Sequence, residues 1–272
     1  MPTDNASLRT ANDSGFPLQI AAARHVGETT GAHGWTVRYA EHSWSNQVDG
    51  QSGFIDLVLQ DRLKCTFTVV ECKRVRNAEW VFLHSAGTAP KQNHAKAWIS
   101  HYANGTMAQY GWYNISVNPA CVEAQFCAVR GQSSNDRTTL LERVGSDLIA
   151  ATEALAAEER DFRPDNCESI KIYFNVIVTT ADLKVGEFDP ANVSLSEGTL
   201  PSATRFESVP YIRFRKQLST RPTRFMPADY GKATDIAYSK ENTVFVVRAD
   251  ALPDFLNELD VPKKSLHQFR AA

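Results

Sequence analysis

The chain has 272 residues, 29 Lys and Arg against 31 Asp and Glu, a formal charge of −2 and 43% apolar residues. These values exclude a disordered chain, a collagen, a disulfide-stapled miniprotein and a strongly basic protein that coats nucleic acid, though not a local basic cleft. No run approaches the roughly 18 apolar residues of a membrane helix, and the polar start lacks an apolar signal core, so a cytoplasmic location with no membrane contact is expected. Cys65, Cys72, Cys121, Cys127 and Cys167 form no CxxC pair and read as reduced thiols.

Residues 1–15 are polar and read as a flexible lead-in. Residues 16–30 read as a helix, with Pro17 in its first turn, Leu18, Ala22 and Val26 at helical spacing, and Gly31 and Gly34 ending it. Strands are expected at 36–44, at 54–60 (FIDLVLQ) and at 65–73 (CTFTVVECK), the last two joined by a turn at 61–64. Residues 91–102 read as a helix, 109–116 are ambiguous, and 122–130 read as a strand. The Ala-, Leu- and Glu-rich stretch 138–159 is the strongest helix. Then follow a strand at 170–179, a loop over 182–208, strands at 209–218 and 243–248, and a last helix capped by Asp250. Neither a GxGxxG nor a GxxxxGK[ST] nucleotide-binding fingerprint is present. The fold class is α/β, a mixed sheet flanked by helices.

The chemistry sits in Ile55-Asp56-Leu57-Val58 and Val70-Glu71-Cys72-Lys73. Side chains alternate across a strand, so Phe67, Val69, Glu71 and Lys73 share one face. A tight hairpin would set Gln60 opposite Cys65 and Asp56 opposite Val69, with Asp56 diagonal to Glu71. Diagonal neighbours lie about 7–8 Å apart, close enough for two carboxylates to share one divalent cation. Two acids and a lysine are costly to bury without a purpose. Their hard oxygens suit Mg²⁺, and a nearby ammonium suits phosphodiester hydrolysis.

Asp56, Glu71 and Lys73, spaced D-x14-E-x-K on adjacent strands, resemble the PD-(D/E)XK nuclease superfamily, the restriction-endonuclease-like fold. The resemblance covers a helix, three strands, a helix and a strand over residues 16–130. It implies that Asp56, Glu71 and the main-chain carbonyl of Cys72 hold Mg²⁺ or Mn²⁺, and that Lys73 positions the attacking water. It also implies an acid on the first helix. Glu28 is the acid there, while Gln19 is nearer the usual position. Ile55 stands where the family has proline. DNA is the implied substrate, a homodimer would suit double-strand cleavage, and a partner or activator protein and a role in phage defence fit the same association. The alternatives are a silent nucleic-acid- or protein-binding module on the same fold, and an interaction protein whose Glu-Lys pair is incidental.

Further basic candidates for nucleic acid are Arg74 and Arg76 beyond Lys73, and Arg213 and Arg215 in the run that ends at Arg221 and Arg224. Gln92, Lys96 and Tyr102 are candidate assistants on the expected helix at 91–102. The domain expectation is a lead-in over 1–15, a nuclease-like core over 16–130 and an α/β extension over 131–272 packing on it, or one single domain.

Overall fold

The computed structural model describes residues 6–46, 50–75, 78–86, 91–103, 106–129, 139–161, 169–219 and 234–270. The chain opens with helices α1 (Ala6–Asp13) and α2 (Phe16–His33), then strands β1 (Thr36–Asn46), β2 (Gln51–Gln60) and β3 (Thr66–Lys73). Strands β4 (Glu79–Ser85), β5 (Gln92–Ala103), β6 (Thr106–Cys121), β7 (Glu123–Ala124) and β8 (Phe126–Val129) follow. Helix α3 (Leu140–Asp161) leads to β9 (Ser169–Thr179), β10 (Asp182–Phe188), β11 (Phe206–Val209) and β12 (Tyr211–Gln217). The chain ends with α4 (Thr234–Lys240), β13 (Glu241–Arg248), α5 (Leu252–Glu258) and α6 (Lys263–Arg270).

The main sheet is mixed and nine-stranded, with the order β1-β2-β3-β9-β13-β12-β7 and with β5 and β6 branching from β9. The branch arises because β9 shares one edge. Its first half pairs antiparallel with β5 and its second half parallel with β13. The other edge pairs parallel with β3 from Thr66↔Ile172 to Lys73↔Thr179. Strands on both sides of residue 130 therefore build one continuous sheet. Helix α3 covers one face through Leu141, Val144, Leu148 and Leu155. Helices α2 and α5 cover the other through Ala22, Val26, Leu252 and Phe255. A second sheet, β11-β10-β4-β8, adds Trp80, Phe82 and Leu183 to the α3-side core. No helix among the described residues is long and apolar enough to cross a membrane.

Several elements differ from expectation. Residues 91–102 form β5 and not a helix. Ala95, Ala97, Trp98 and Ile99 are buried against layers on both faces, so the strand shows no alternation, and its alanines mimic a helical composition. The expected lead-in contains α1, and the expected loop over 182–208 contains β10 and the start of β11. Asp250 does not cap a helix; it sits in a 3-10 turn, ion-paired with Arg248. The start of α3 carries a capping box. Thr139 Oγ1 accepts from Glu142 N at 3.2 Å, and Glu142 Oε2 accepts from Thr139 N at 3.0 Å. Cys65, Cys72, Cys121 and Cys127 are free thiols, while Cys167 lies outside the described residues.

Candidate active site

The hairpin register is shifted by two residues from the expected one. Gln60 pairs with Phe67, and Leu57 pairs with Val70. The cause is the connection. The Asp61 carboxylate accepts from Cys65 N at 2.8 Å and Thr66 N at 3.1 Å, and Lys64 takes a left-handed φ of 56°. A two-residue shift keeps every side chain on its face. Carried one step past the last pair, this register sets Asp56 across from Glu71 and no longer diagonal to it.

The ladder with β3 stops at Leu57↔Val70. There the alternation of β2 breaks. Ile55 packs in the α3-side core and Leu57 in the α2-side core, although residues two apart on a regular strand share a face. Strand β1 inverts at the same level. Tyr39 and Trp44 both pack on the α3 side, an odd number of positions apart, and Glu41 between them has a left-handed φ of 52°. Asp56 sits at this inversion, and its carboxylate points into the gap where β2 and β3 part. Its Oδ2 accepts from Cys72 N at 2.7 Å, in the place of a ladder bond. Gln19 of α2, itself buried, donates through Nε2 to the Asp56 carbonyl at 3.0 Å.

Glu71 and Lys73 share the α3 face as expected, since Phe67 and Val69 pack there while Val70 and Cys72 pack on the α2 side. Lys73 Nζ lies 2.5 Å from Glu71 Oε1. The N–H and C=O of one residue leave a strand on the same edge. The Cys72 carbonyl therefore faces the gap that holds the Asp56 carboxylate. Burial, reinforced by the negative charge of Glu71, raises the Asp56 carboxyl to about 6 against the pull of the Cys72 amide and Lys73. Two carboxylates and a carbonyl beside one gap, their repulsion only partly offset by Lys73 and the Cys72 amide, form a donor set that fits a hard divalent cation.

The raised carboxyl makes a measurable link to stability. Between about pH 4 and 6 the folded chain keeps a proton that the unfolded chain has lost, so folding weakens as the pH rises through that window. In EDTA, Asp56→Asn is expected to be more stable than the parent at neutral pH. The difference should be about 1–2 kcal/mol once solvent screening is discounted, and it should vanish near pH 4. Urea melts at both pH values check this, and equal stability of the two proteins at neutral pH would contradict it.

The other expected site residues lie elsewhere. Glu28 pairs with Arg24 on an exposed turn of α2, roughly 13 Å along the helix axis from Gln19, so it does not join Asp56. Arg213 is fully buried, its guanidinium holding carbonyls of β5 and β6. Arg215 pairs with Glu241 at 3.1 Å and lies over Tyr238. Arg213 is interior and so out of reach of nucleic acid, whereas Arg215, half-buried, is held by Glu241 and by Asn114 Oδ1 at 3.3 Å. Arg74 reaches α1, holding the Asn12 carbonyl and the Asp13 carboxylate. Arg76, Arg221 and Arg224 lie outside the described residues. Lys96 is buried; its ammonium donates to the carbonyls of Tyr238 and Ser239 at the end of α4, and burial lowers it to about 8. Gln92 and Tyr102 lie with it on β5, paired with Cys121 and Met107 of β6.

Asp147 of α3 was not legible in the sequence. Together with Glu71 and Lys73 it lines a cleft of about 310 Å³ between α3 and the N-terminal half of β2. Burial pushes the Asp147 carboxyl up, against the pull of Arg143 and Lys73. Among the described residues no three His, Cys, Asp or Glu side chains group as a metal site, so the donor set needs the Cys72 carbonyl to reach three. Compared with known protein families, curated proteins and solved structures, the chain matches none.

Proposed function

We propose that the chain is a metal-dependent nuclease of the restriction-endonuclease-like kind, hydrolysing phosphodiester bonds of nucleic acid. The observation that carries this reading is the fork. Asp56 is bound to the Cys72 amide in the gap between two parting strands, with Glu71 and Lys73 projecting beside it. The element order supports it. Helix α2, strands β1–β3, helix α3 and strand β9, parallel to β3, form the helix, three-strand, helix, strand series, over residues 16–179 and not 16–130. Strands β4–β8 are inserted before the second helix.

Asp56, Glu71 and the Cys72 carbonyl would hold Mg²⁺ or Mn²⁺, which supplies Lewis-acid activation of a phosphoryl group and of water. The Cys72 amide fixes the Asp56 carboxylate, and Gln19 fixes the backbone that carries it. The Lys73 ammonium orients the attacking water and offsets negative charge developing on the phosphate.

The test is cleavage of supercoiled plasmid, linear duplex, single-stranded DNA and RNA, each in Mg²⁺, Mn²⁺ or EDTA, beside Glu71→Gln. Metal-dependent cutting that falls at least 100-fold in Glu71→Gln is the expected result. Cutting that survives in Glu71→Gln would place the activity elsewhere. Mn²⁺ binding without cutting on any substrate would favour a silent binding module.

A further inference from the structure

Strand β2 outruns β3. Its ladder with β1 continues to Asn46↔Gln51, whereas its ladder with β3 ends at Leu57↔Val70. Among the described residues no strand pairs with the β3-side edge of residues 51–55, so backbone N–H and C=O groups are open along it. These residues form one side of the cleft. Val144, Leu148 and Ala151 of α3 form the opposite side. Trp44 lies across Gly53, where a Cβ would meet its indole Nε1 at 3.2 Å, so the glycine is what lets the ring lie flat there. Glu71, Lys73 and Asp147 supply the charged groups.

The cleft thus has two chemically distinct parts. One is ionic and adjoins Asp56. The other is apolar, and it runs beside an open backbone edge that offers donors and acceptors. That pairing suits a nucleotide, with its phosphate at the ionic end and its flat base against the apolar wall. The space, about 310 Å³, is of small-ligand size. A base inside a duplex enters such a recess only by leaving its stack. Arg213 is spent inside the fold and Arg215 is paired with Glu241, so the two do not make a free basic face for a duplex.

We propose that the cleft seats one unpaired nucleobase beside the phosphate at Glu71 and Lys73, making single-stranded nucleic acid the substrate class. This inference rests on the nuclease reading. A base packed on an aromatic and aliphatic wall contributes about 5- to 100-fold in affinity.

The parent protein in Ca²⁺, a hard cation that takes the same oxygen ligands, is used with phosphorothioate-linked probes whose intactness is checked on a gel, so that Lys73 stays in place. The parent's affinity is measured for a labelled 12-nucleotide strand, the same strand with abasic residues at its centre, and the blunt duplex. The expected result is binding of the strand at least tenfold tighter than the duplex, with at least a fivefold loss for the abasic probe. A 5-iodouracil at the central position should crosslink to Trp44, to residues 51–55 or to residues 144–151. Equal or tighter duplex binding, no abasic penalty, or crosslinks confined to other segments would overturn the inference. Duplex binding accompanied by metal-dependent cutting would overturn it while leaving the nuclease reading intact. Failure to bind any of the three probes would overturn both.

Discussion

Replacing Arg213 by leucine is expected to lower stability by about 3–5 kcal/mol. The guanidinium is fully buried and serves four carbonyls, those of Gln92, His94, Val117 and Pro119. These acceptors exist because the β5–β6 ladder is irregular between Gln92 and His94, where it skips a register. Backbone carbonyls freed by a bulge inside the protein need donors. Arg213 also lies over the Phe245 ring, 5.2 Å from its centroid. Leucine would leave the carbonyls without donors and a space at the junction of β5, β6 and β12. Lysine should rescue little, because an ammonium cannot reach four acceptors with a planar fork. Urea denaturation and circular dichroism of Arg213→Leu and Arg213→Lys check this. Native stability combined with weaker nucleic-acid binding would instead return Arg213 to the surface role expected from sequence.

Lys73→Met is expected to reduce cleavage by about 10²–10³-fold while leaving Mn²⁺ binding intact or tighter. The ammonium is held on Glu71 Oε1 and also pulls on the carboxyls of Asp56 and Asp147. Its removal takes away the cation nearest the phosphate. It also removes the group that competes with a metal for Glu71. Single-turnover cleavage and Mn²⁺ calorimetry on the same variant separate the two effects. A parallel loss of metal binding would show that Lys73 builds the site rather than acting at it. An unchanged cleavage rate would make the Glu-Lys pair incidental.

The two predictions concern two cations that the sequence alone does not tell apart. Arg213 and Lys73 each follow apolar residues on a strand, and either pattern reads as a solvated or functional face. Their burial is decided by the layers stacked on the strand, and those layers come from segments far away in the chain.

Glu71 and Lys73 were legible as a pair on one face because strand alternation is local. Once 65–73 is a strand their common face follows, and a register error of two residues leaves it unchanged, whereas the place of Asp56 does not follow, because β2 loses its alternation there. The capping box at Thr139 and Glu142, which the structure shows, is a four-residue signal of the same local kind. Helices α2 and α3 declared themselves by composition and periodicity over many residues. Strand β5 did not, because burial on both faces erases the period-two pattern on which a strand is recognised.

The sequence by itself determined which residues are chemically able to form a site, and on which strand face Glu71 and Lys73 stand. The tertiary structure alone decided the rest. It set Asp56 in the gap where β2 and β3 separate, since that position depends on where a ladder ends and where two strands invert together. It withdrew Glu28, Arg213 and Arg215 from the site and brought in Gln19 and Asp147, because proximity between distant segments is fixed by how helices pack on the sheet. Local pattern encodes the orientation of a side chain; only packing encodes its neighbours.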